Sequence, residues 1–533
     1  MAFAILEKTL EMKLACMEII EGILESRITK ENFETEKISI SNKYKLVKIL
    51  KNAEIFQFVD KEDKNYEFLK RFFKIKPIRT SSGVANISVM WLDKEHKDPR
   101  NPDRHYSCPA ACVYCAQGTN APKSYTGCEP TTMRAIRNDY DPVLQVTNRI
   151  KQLHVIGHST DKCEIIVMGG TFTSMPFVYQ EKFITGCFDA LNEDDSQNLY
   201  EAHIKNESAK NRCVGLTIET RADFCRQHHV NQMLQLGCTR VEIGVQSTSD
   251  RILEAIKRGH SSAENIHAIK LLKDNGLKFT AHWMPGLTGL LGEIDEKEEI
   301  RLFKELFANS GYMPDELKIY PVLVLPGTEL YDLWNDGNYN PLTNDQMLNL
   351  LIEMKKIVPT YVRIKRVMRD ISEHEVKAGA STTNLRQLAK IRMEKLRIKC
   401  SCIRCREIGL QNKQPKNIEL HVNEYQASEG VEFFISCEDK EEALLLGFIR
   451  LRISNGKAFI RELHVYGEMT PIGEESKQAQ HKGVGKKLLS KAEEMTKEFG
   501  LDKLFVMSGI GVRGYYRKLG YTLEGPYMVK KLD

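Results

Sequence analysis

No uninterrupted apolar run in the 533 residues is long enough to cross a bilayer, and the first residues lack the basic, apolar and small-residue order of a secretory signal. The two absences predict a cytoplasmic protein with no membrane partner. A large charge excess is missing as well. With 77 Lys+Arg against 72 Asp+Glu the net charge is +5, so nucleic-acid binding has to be read from where the cations lie and not from their total. Nor do the 14 cysteines suit a disulfide framework, because the chain is long and three of them crowd into one metal-type motif. Hydrophobic residues at 42% and charged residues at 28% describe a globular chain too long for one core, and length predicts about two to four domains.

The densest chemistry is Cys108-Pro-Ala-Ala-Cys112-Val-Tyr-Cys115, three thiols spaced C-x3-C-x2-C. Three thiolates on a short loop hold three irons of a [4Fe-4S] cube and leave the fourth iron without a protein ligand. S-adenosylmethionine can chelate that iron through its amino and carboxylate groups, so that an electron from the cluster breaks the sulfonium bond and releases a deoxyadenosyl radical. A zinc loop is the competing reading. Zinc favours paired C-x2-C knuckles and a fourth ligand, and the next cysteine, Cys128, lies outside a tight loop.

Residues 1–79 read as a small helical segment. Leu6, Leu10, Leu14, Met17, Ile20 and Leu24 step by three or four, as one face of a helix does. The segment closes on Lys70-Arg-Phe-Phe-Lys-Ile-Lys76 with Arg79 beyond. Either these cations neutralise phosphates while Phe72 and Phe73 stack on bases, or the run is a solvated helix end whose rings belong to a core.

Between residues 80 and 370, β-branched runs alternate with amphipathic helices. Strands are expected at 83–91, 163–171, 213–221, 240–247, 278–285 and 317–325, and intervening helices make them parallel, closing as a six-unit partial barrel. Working residues gather at the carboxyl ends of such strands. Those ends carry the cysteine loop, then Gly169, Gly170 and Thr171, then Glu219 and Arg221, then Gln246: backbone that a ligand can approach closely, and polar groups for its amine, carboxylate and ribose.

A basic bridge follows over residues 371–417, continuing the cations Lys355, Lys356, Arg363, Lys365, Arg366 and Arg369. The run 359–370, which mixes Tyr361 with arginines, is the local candidate for RNA contact. The bridge ends in Cys400-Ser-Cys402-Ile-Arg-Cys405, compact enough for three thiolates on one zinc with a fourth ligand from elsewhere. From 418 to 533 the pattern becomes strands with one clear helix. Gln480-His-Lys-Gly483-Val-Gly485-Lys-Lys487 opens that helix, and the free N–H groups of a helix start suit a pyrophosphate. This Q-x2-G-x-G turn resembles the coenzyme A loop of the GNAT acetyltransferases. The preceding strand Arg461-Glu-Leu-His-Val-Tyr466 and the later Gly514-Tyr515-Tyr516-Arg517 stand in the same order as in that family.

The motif Cys108 to Cys115, with Ser124-Tyr-Thr-Gly127, Met133-Arg-Ala-Ile136, Met168-Gly-Gly-Thr171, Thr217-Ile-Glu-Thr-Arg221, Glu242-Ile-Gly-Val-Gln-Ser247 and Leu317-Lys-Ile-Tyr-Pro321, resembles the catalytic subunits of Elongator over nearly the whole chain. The resemblance implies a multidomain α/β chain: a small helical N-terminal domain, a partial (β/α)6 radical-SAM barrel, a zinc knuckle on a basic linker and a GNAT-type acetyl-CoA domain. It implies carboxymethylation of C5 of the wobble uridine in a tRNA anticodon, by a radical formed on the methyl group of acetyl-CoA. By that resemblance Cys108, Cys112 and Cys115 hold the cluster, and Gly169, Gly170, Thr171, Glu219, Arg221 and Gln246 shape the S-adenosylmethionine pocket. Leu463, His464, Val465, Tyr466, Gln480, Gly483, Val484, Gly485, Lys486 and Lys487 hold acetyl-CoA, and Tyr515 or Tyr516 sits near its sulfur. Lys162 reaches acetyl-CoA from the barrel side, while His464 or Glu462 activates water for thioester cleavage. An electron donor and the tRNA anticodon stem-loop are the implied partners. The compact cysteine spacing points to an archaeal homologue that needs no other Elongator subunit. A protein lysine acetyltransferase using the barrel as a scaffold, and a tRNA-binding regulator, are the alternatives.

Overall fold

The structure, a computed structural model, describes residues 2–46, 49–50, 52–60, 62–73, 80, 82–92, 97–98, 101–105, 108–411, 413–467 and 483–532. The chain divides into two compact units, residues 1–80 with 147–160, and residues 81–146 with 161–533.

The first unit is helical, with Ala2–Leu24, Phe33–Lys43, Asn52–Phe56 and Tyr66–Phe73. Its first helix buries a face rotated from the one that the leucine spacing predicts. Ala15, Cys16, Ile19 and Ile23 are buried, whereas Leu10, Leu14 and Met17 are exposed. The helix is apolar on both faces, so spacing alone could not choose between them, and small Ala15 and Cys16 let neighbouring elements come close. Phe72 and Phe73 meet Phe33 with ring centroids 5.3 and 5.8 Å apart, and Phe73 is buried. These rings are spent on the core and not offered to bases. Lys74, Lys76 and Arg79 lie outside the described residues.

The second unit holds two seven-stranded sheets. In the first, β1 (Ala85–Met90), β2 (Lys162–Met168), β3 (Arg212–Thr220), β4 (Arg240–Gln246), β5 (Lys278–Trp283), β6 (Glu316–Ile319) and β7 (Arg363–Val367) are all parallel and hydrogen-bonded in chain order. Crossover helices such as Phe177–Asn192 and Ser262–Asp274 return each strand to the same direction. The expected sixth strand is shorter than its apolar run, because Pro321 cannot donate to a ladder, and Leu323–Val324 pairs instead with Ala378–Gly379. The seventh strand, Arg363–Val367, lies within the run 359–370 read as an RNA contact. Ile364 is buried, Lys365 Nζ lies 3.5 Å from Glu164 and 3.4 Å from Glu316, and Arg363 pairs with buried Glu407. These two cations are therefore consumed inside the fold, whereas Arg366 pairs with the exposed Asp370.

The second sheet has the order β8-β9-β10-β11-β12-β14-β13, from β8 (Glu419–Ala427), β9 (Gly430–Asp439), β10 (Leu444–Ser454), β11 (Lys457–Val465), β12 (Lys503–Val506), β13 (Thr522–Glu524) and β14 (Tyr527–Lys531). Only β11 and β12 run parallel. Helix Val484–Glu498 closes the core over Ile435, Ile449, Ile460 and Val506.

Buried ions join this sheet to the amino-terminal ends of the barrel strands. Arg461 on β11, fully buried, grips Asp315 just ahead of β6 at 2.6 and 2.8 Å, donates to the Leu277 carbonyl ahead of β5 at 3.0 Å, and reaches Glu432 at 2.8 Å. Arg452 binds Asp274 at the end of helix Ser262–Asp274. Gly509 and Gly511 lie directly on the start of β3, where an added Cβ would fall 2.2 Å from the Val214 carbonyl or 2.5 Å from the Arg212 Cβ. The second sheet therefore sits beneath the barrel floor, at the opposite end from the strand ends that carry the cysteine loop.

Candidate functional site

The three-cysteine loop follows β1 and is held from several sides. Val113 donates its N–H to Ile256 O at 3.2 Å and accepts from Leu330 N at 2.8 Å, and Lys123 Nζ donates to the Cys108 and Ala110 carbonyls. Thr171 Oγ1 donates to Cys108 Sγ at 3.2 Å, and the buried Arg258 guanidinium lies 3.6 Å from Cys112 Sγ. A hydrogen bond from Cys115, aided by Arg258, brings the Cys112 thiol down to about 4, while the same contact and burial push Cys115 up. The loop is thus built to carry thiolate charge.

Below it opens a pocket lined by all three cysteines and by residues from the carboxyl ends of β2 to β7, Tyr320, Arg366 and Arg369 among them. Gly170, Thr171, Glu219, Arg221 and Gln246 all line it. Gly169 does not. Its φ of +124° and the Trp91 carbonyl 3.0 Å from a would-be Cβ make it a packing glycine under the Trp91 ring, which corrects its place among the ligand residues. Gln246 stands at φ +66°, where β4 breaks register against β5, and this left-handed kink turns its side chain into the pocket.

The strand-end reading missed the pocket floor. Glu242, fully buried, accepts from His282 Nε2 at 2.9 Å and pairs with Lys318, which also reaches Glu219 at 3.3 Å. These residues point inward on alternate positions of β4, β5 and β6, and that period-two pattern of charges within apolar runs was the available signal. Burial alone would raise Glu242, but Lys318 and His282 hold it well below the usual carboxylate range.

Five buried polar atoms of pocket-lining residues have no hydrogen-bond partner among the described residues: Gln246 Oε1, Glu242 Oε1, Arg221 Nη1, Arg258 Nε and the Tyr114 hydroxyl. Arg221 spends its other nitrogens on Asp223 at 2.9 Å. Buried polar groups are normally satisfied, so acceptors and donors left over around a thiolate loop fit a small zwitterionic ligand with hydroxyl groups. The donor set suits the three-iron anchorage and the S-adenosylmethionine that the cysteine spacing implies.

The second sheet offers a different site. Gly483, at φ +79°, precedes helix Val484–Glu498 with no side-chain cap, leaving the helix's first N–H groups available. Gly485 faces the Tyr515 hydroxyl, 3.3 Å from a would-be Cβ, and Lys486 and Lys487 are exposed. Strands β11 and β12 pair only over Ala458–Ile460 and then diverge, so Leu463, His464 and Val465 keep backbone groups free on that side. Gln480 lies outside the described residues.

Four sequence expectations change here. Tyr516 is buried in the sheet core, which removes it as a ligand and leaves Tyr515, 36% exposed. Val484 is buried in the same core, so only its main chain faces the turn. Tyr466 turns its hydroxyl to Arg363 of β7 at 2.7 Å and anchors the sheet to the barrel. Glu462 accepts from Arg450 Nε at 2.9 Å and faces Lys278 at 3.7 Å, so its carboxylate is an interface ion and not a base. His464 donates its Nε2–H to the Ser82 carbonyl, 3.1 Å away, which places the N–H on that nitrogen. Burial pushes its pKa down. Lys162 opens β2 at the floor end, paired in register with Arg212 on which Gly511 rests, and burial lowers its pKa.

The sulfurs of Cys400, Cys402 and Cys405 lie within 4.8 Å of one another, and Lys355 Nζ donates to Cys405 Sγ at 3.5 Å. This spacing suits a tetrahedral thiolate site, with no fourth His, Cys, Asp or Glu beside it among the described residues. Around the knuckle, Lys390, Arg392, Lys395, Arg397 and Lys399 are exposed on and after helix Leu385–Lys395, whereas Arg386 turns inward to the Ile364 carbonyl at 3.0 Å.

Comparison with known proteins agrees with this division. The Radical SAM superfamily matches residues 105–303 and the Radical_SAM C-terminal domain 314–395, while the ELP3 N-terminal domain matches 12–81 and the Acetyltransferase (GNAT) family 403–521. The tRNA uridine(34) acetyltransferase of Methanocaldococcus jannaschii is 44% identical over 506 residues, 90% of each chain. Elongator complex protein 3 of Schizosaccharomyces pombe is 40% identical over 543 residues, 97% of this chain and 98% of that one. The solved structure of the archaeal Methanocaldococcus infernus Elp3 with N-terminus deletion (1–46) matches with a TM-score of 0.73 at 40% identity, over 85% of this chain and all of that one. A thiolate-bearing loop over a half-barrel and an uncapped helix turn on an acetyltransferase sheet, with these relatives spanning nearly the full length, make the chain a member of the Elongator complex protein 3 family, radical SAM and GNAT acetyltransferase in one polypeptide.

Proposed function

We propose that the chain carboxymethylates C5 of the wobble uridine of tRNA, with acetyl-CoA as carbon source. The cluster and S-adenosylmethionine would supply a radical able to take hydrogen from the acetyl methyl group, whose carbon then adds to C5. Cys108, Cys112 and Cys115 hold the cluster in this reading, with Thr171 and Arg258 stabilising thiolate charge at Cys108 and Cys112. Gly170, Glu219, Arg221 and Gln246 bind the cofactor's polar groups.

Acetyl-CoA lies at the Gly483 turn, its pyrophosphate on the helix N–H groups and its pantetheine along Leu463 to Val465. Tyr515 is the hydrogen-bond donor near the thioester sulfur. Lys162 approaches the same ligand from the barrel floor, and neutral His464 is the remaining candidate to activate water for thioester cleavage. Zinc occupies the Cys400, Cys402 and Cys405 knuckle, and the exposed cations of residues 390–399 track the RNA backbone. A soluble electron donor completes the reaction.

The observation that carries the proposal is the coexistence, in one compact unit, of a thiolate loop above unpartnered buried polar atoms and an uncapped glycine turn on the acetyltransferase sheet. The test is Cys112→Ala in the full chain. It should abolish the modified nucleoside while acetyl-CoA binding, followed by calorimetry, stays within about twofold of wild type. A variant that still modifies tRNA would contradict the proposal, and acetylated protein as the only product would favour a lysine acetyltransferase.

A further inference from the structure

The acetyltransferase sheet ends at β8, and that edge is bare. β8 pairs with β9 from Glu419 opposite Glu438 to Ala427 opposite Gly430, without a shift of register, and among the described residues no strand pairs with its other side. Sheets usually blunt such an edge by shortening it, bulging it or covering it. β8 runs nine residues, and residues 416–420 and 422–424 are exposed.

The apolar core also reaches this edge unfinished. Leu420 stands opposite Cys437 and Val422 opposite Ile435, both members of the core beneath helix Val484–Glu498. Yet Ile418, Leu420 and Val422 are 47%, 41% and 46% exposed. They project from the helix-covered face at the point where the helix no longer covers it.

The edge is complementary to itself in one register. Two copies paired antiparallel with Leu420 against Leu420 bring Ile418 against Val422 and Glu419 against His421. Aliphatic and opposite-charge cross-strand pairs both stabilise a ladder. Centring the pair on residue 419 sets Glu419 against Glu419, and centring it on residue 421 sets Ile418 against Glu424. Registers centred between residues put the apolar face of one strand on the polar face of the other.

We propose that β8 is a dimerisation edge, at which a second copy of this chain extends the sheet about a two-fold axis through Leu420. The contact is isologous, each residue meeting its complement in both directions, and it joins the two unfinished apolar rims into one. It lies away from both candidate pockets, so it unites two complete enzymes without completing either.

Sedimentation and light scattering of the full chain over the micromolar range test the proposal. A reversible dimer is expected. Leu420→Lys, which sets two ammonium groups against each other, should return it to monomer with an unchanged melting temperature, because Leu420 is exposed. His421→Glu should weaken the dimer by about tenfold, as it then faces Glu419 of the other copy with a like charge, and adding Glu419→Lys should restore it. A wild-type chain that stays monomeric, a dimer indifferent to Leu420→Lys, or a double charge reversal that fails to restore association would each overturn the proposal. A monomer that takes up a strand from a different protein at this edge would overturn it as well.

Discussion

Tyr515 and Tyr516 are neighbours in sequence and opposites in environment. The Tyr515 hydroxyl faces the start of the acetyltransferase helix at Gly485, whereas Tyr516 is sealed in the core with Tyr521 at 5.7 Å. Sequence could pair them but not rank them, since successive residues of the short helix Arg513–Arg517 point about 100° apart. Tyr515→Phe should cut thioester turnover by about tenfold to a hundredfold, the low end of a general-acid contribution, without changing the melting temperature. Tyr516→Ala should cost about 3–5 kcal/mol of stability through the cavity it leaves, read as a lower urea midpoint. A second residue carries a pH dependence. Burial, with Arg513 nearby, brings His203 down to about 4 from an ordinary 6.5, and its ring lies edge-on to Phe188 at 4.6 Å. The unfolded chain takes this proton more readily than the folded one, so the contribution is intact above about pH 6.5 and is lost as pH falls toward about 4. Urea titrations across that window should lose about 2–3 kcal/mol less in His203→Gln than in wild type.

Among the elements, legibility followed charge. Strands β1 to β6 show as apolar runs because the sheet is covered on both faces, and the helix after Gly483 shows because a glycine turn precedes a periodic stripe. Strand β7 does not. Arg363 and Lys365 look like part of a surface patch, and only Glu164, Glu316 and Glu407, remote in sequence, reveal that their charges are paired internally. The same limit hid the buried arginines that bind the second sheet to the barrel floor. Removing one partner of such a network leaves the others buried and uncompensated, so Arg461→Met should lower stability by about 3–5 kcal/mol and be visible as a large drop in melting temperature. In the knuckle, Cys402→Ser should release about one zinc per chain by elemental analysis while the iron content at Cys108, Cys112 and Cys115 stays unchanged.

At the scale of the molecule, the two candidate sites belong to two sheets packed end to end. The cysteine pocket opens at the carboxyl ends of the strands, and the acetyltransferase sheet lies under their amino ends. With strands of seven and nine residues in β2 and β3, the barrel is roughly 20–30 Å deep at about 3.3 Å per residue. In the proposed reaction the thioester would therefore have to move between binding at the sheet and reaction at the mouth. The succession of a parallel sheet with its cysteine loop and a second sheet with its glycine turn was legible from cysteine spacing and glycine punctuation, but the direction in which the two modules dock was not, because it is written in scattered ions such as Asp274, Asp315 and Glu432. The most direct test of a joint reaction supplies anaerobic, cluster-loaded and reduced protein with S-adenosylmethionine, methyl-deuterated acetyl-CoA and unmodified tRNA, and then weighs deoxyadenosine and the nucleosides by mass spectrometry. Deuterium in deoxyadenosine together with carboxymethyluridine in the RNA is the predicted result. Deoxyadenosine free of deuterium beside unmodified tRNA would contradict the account.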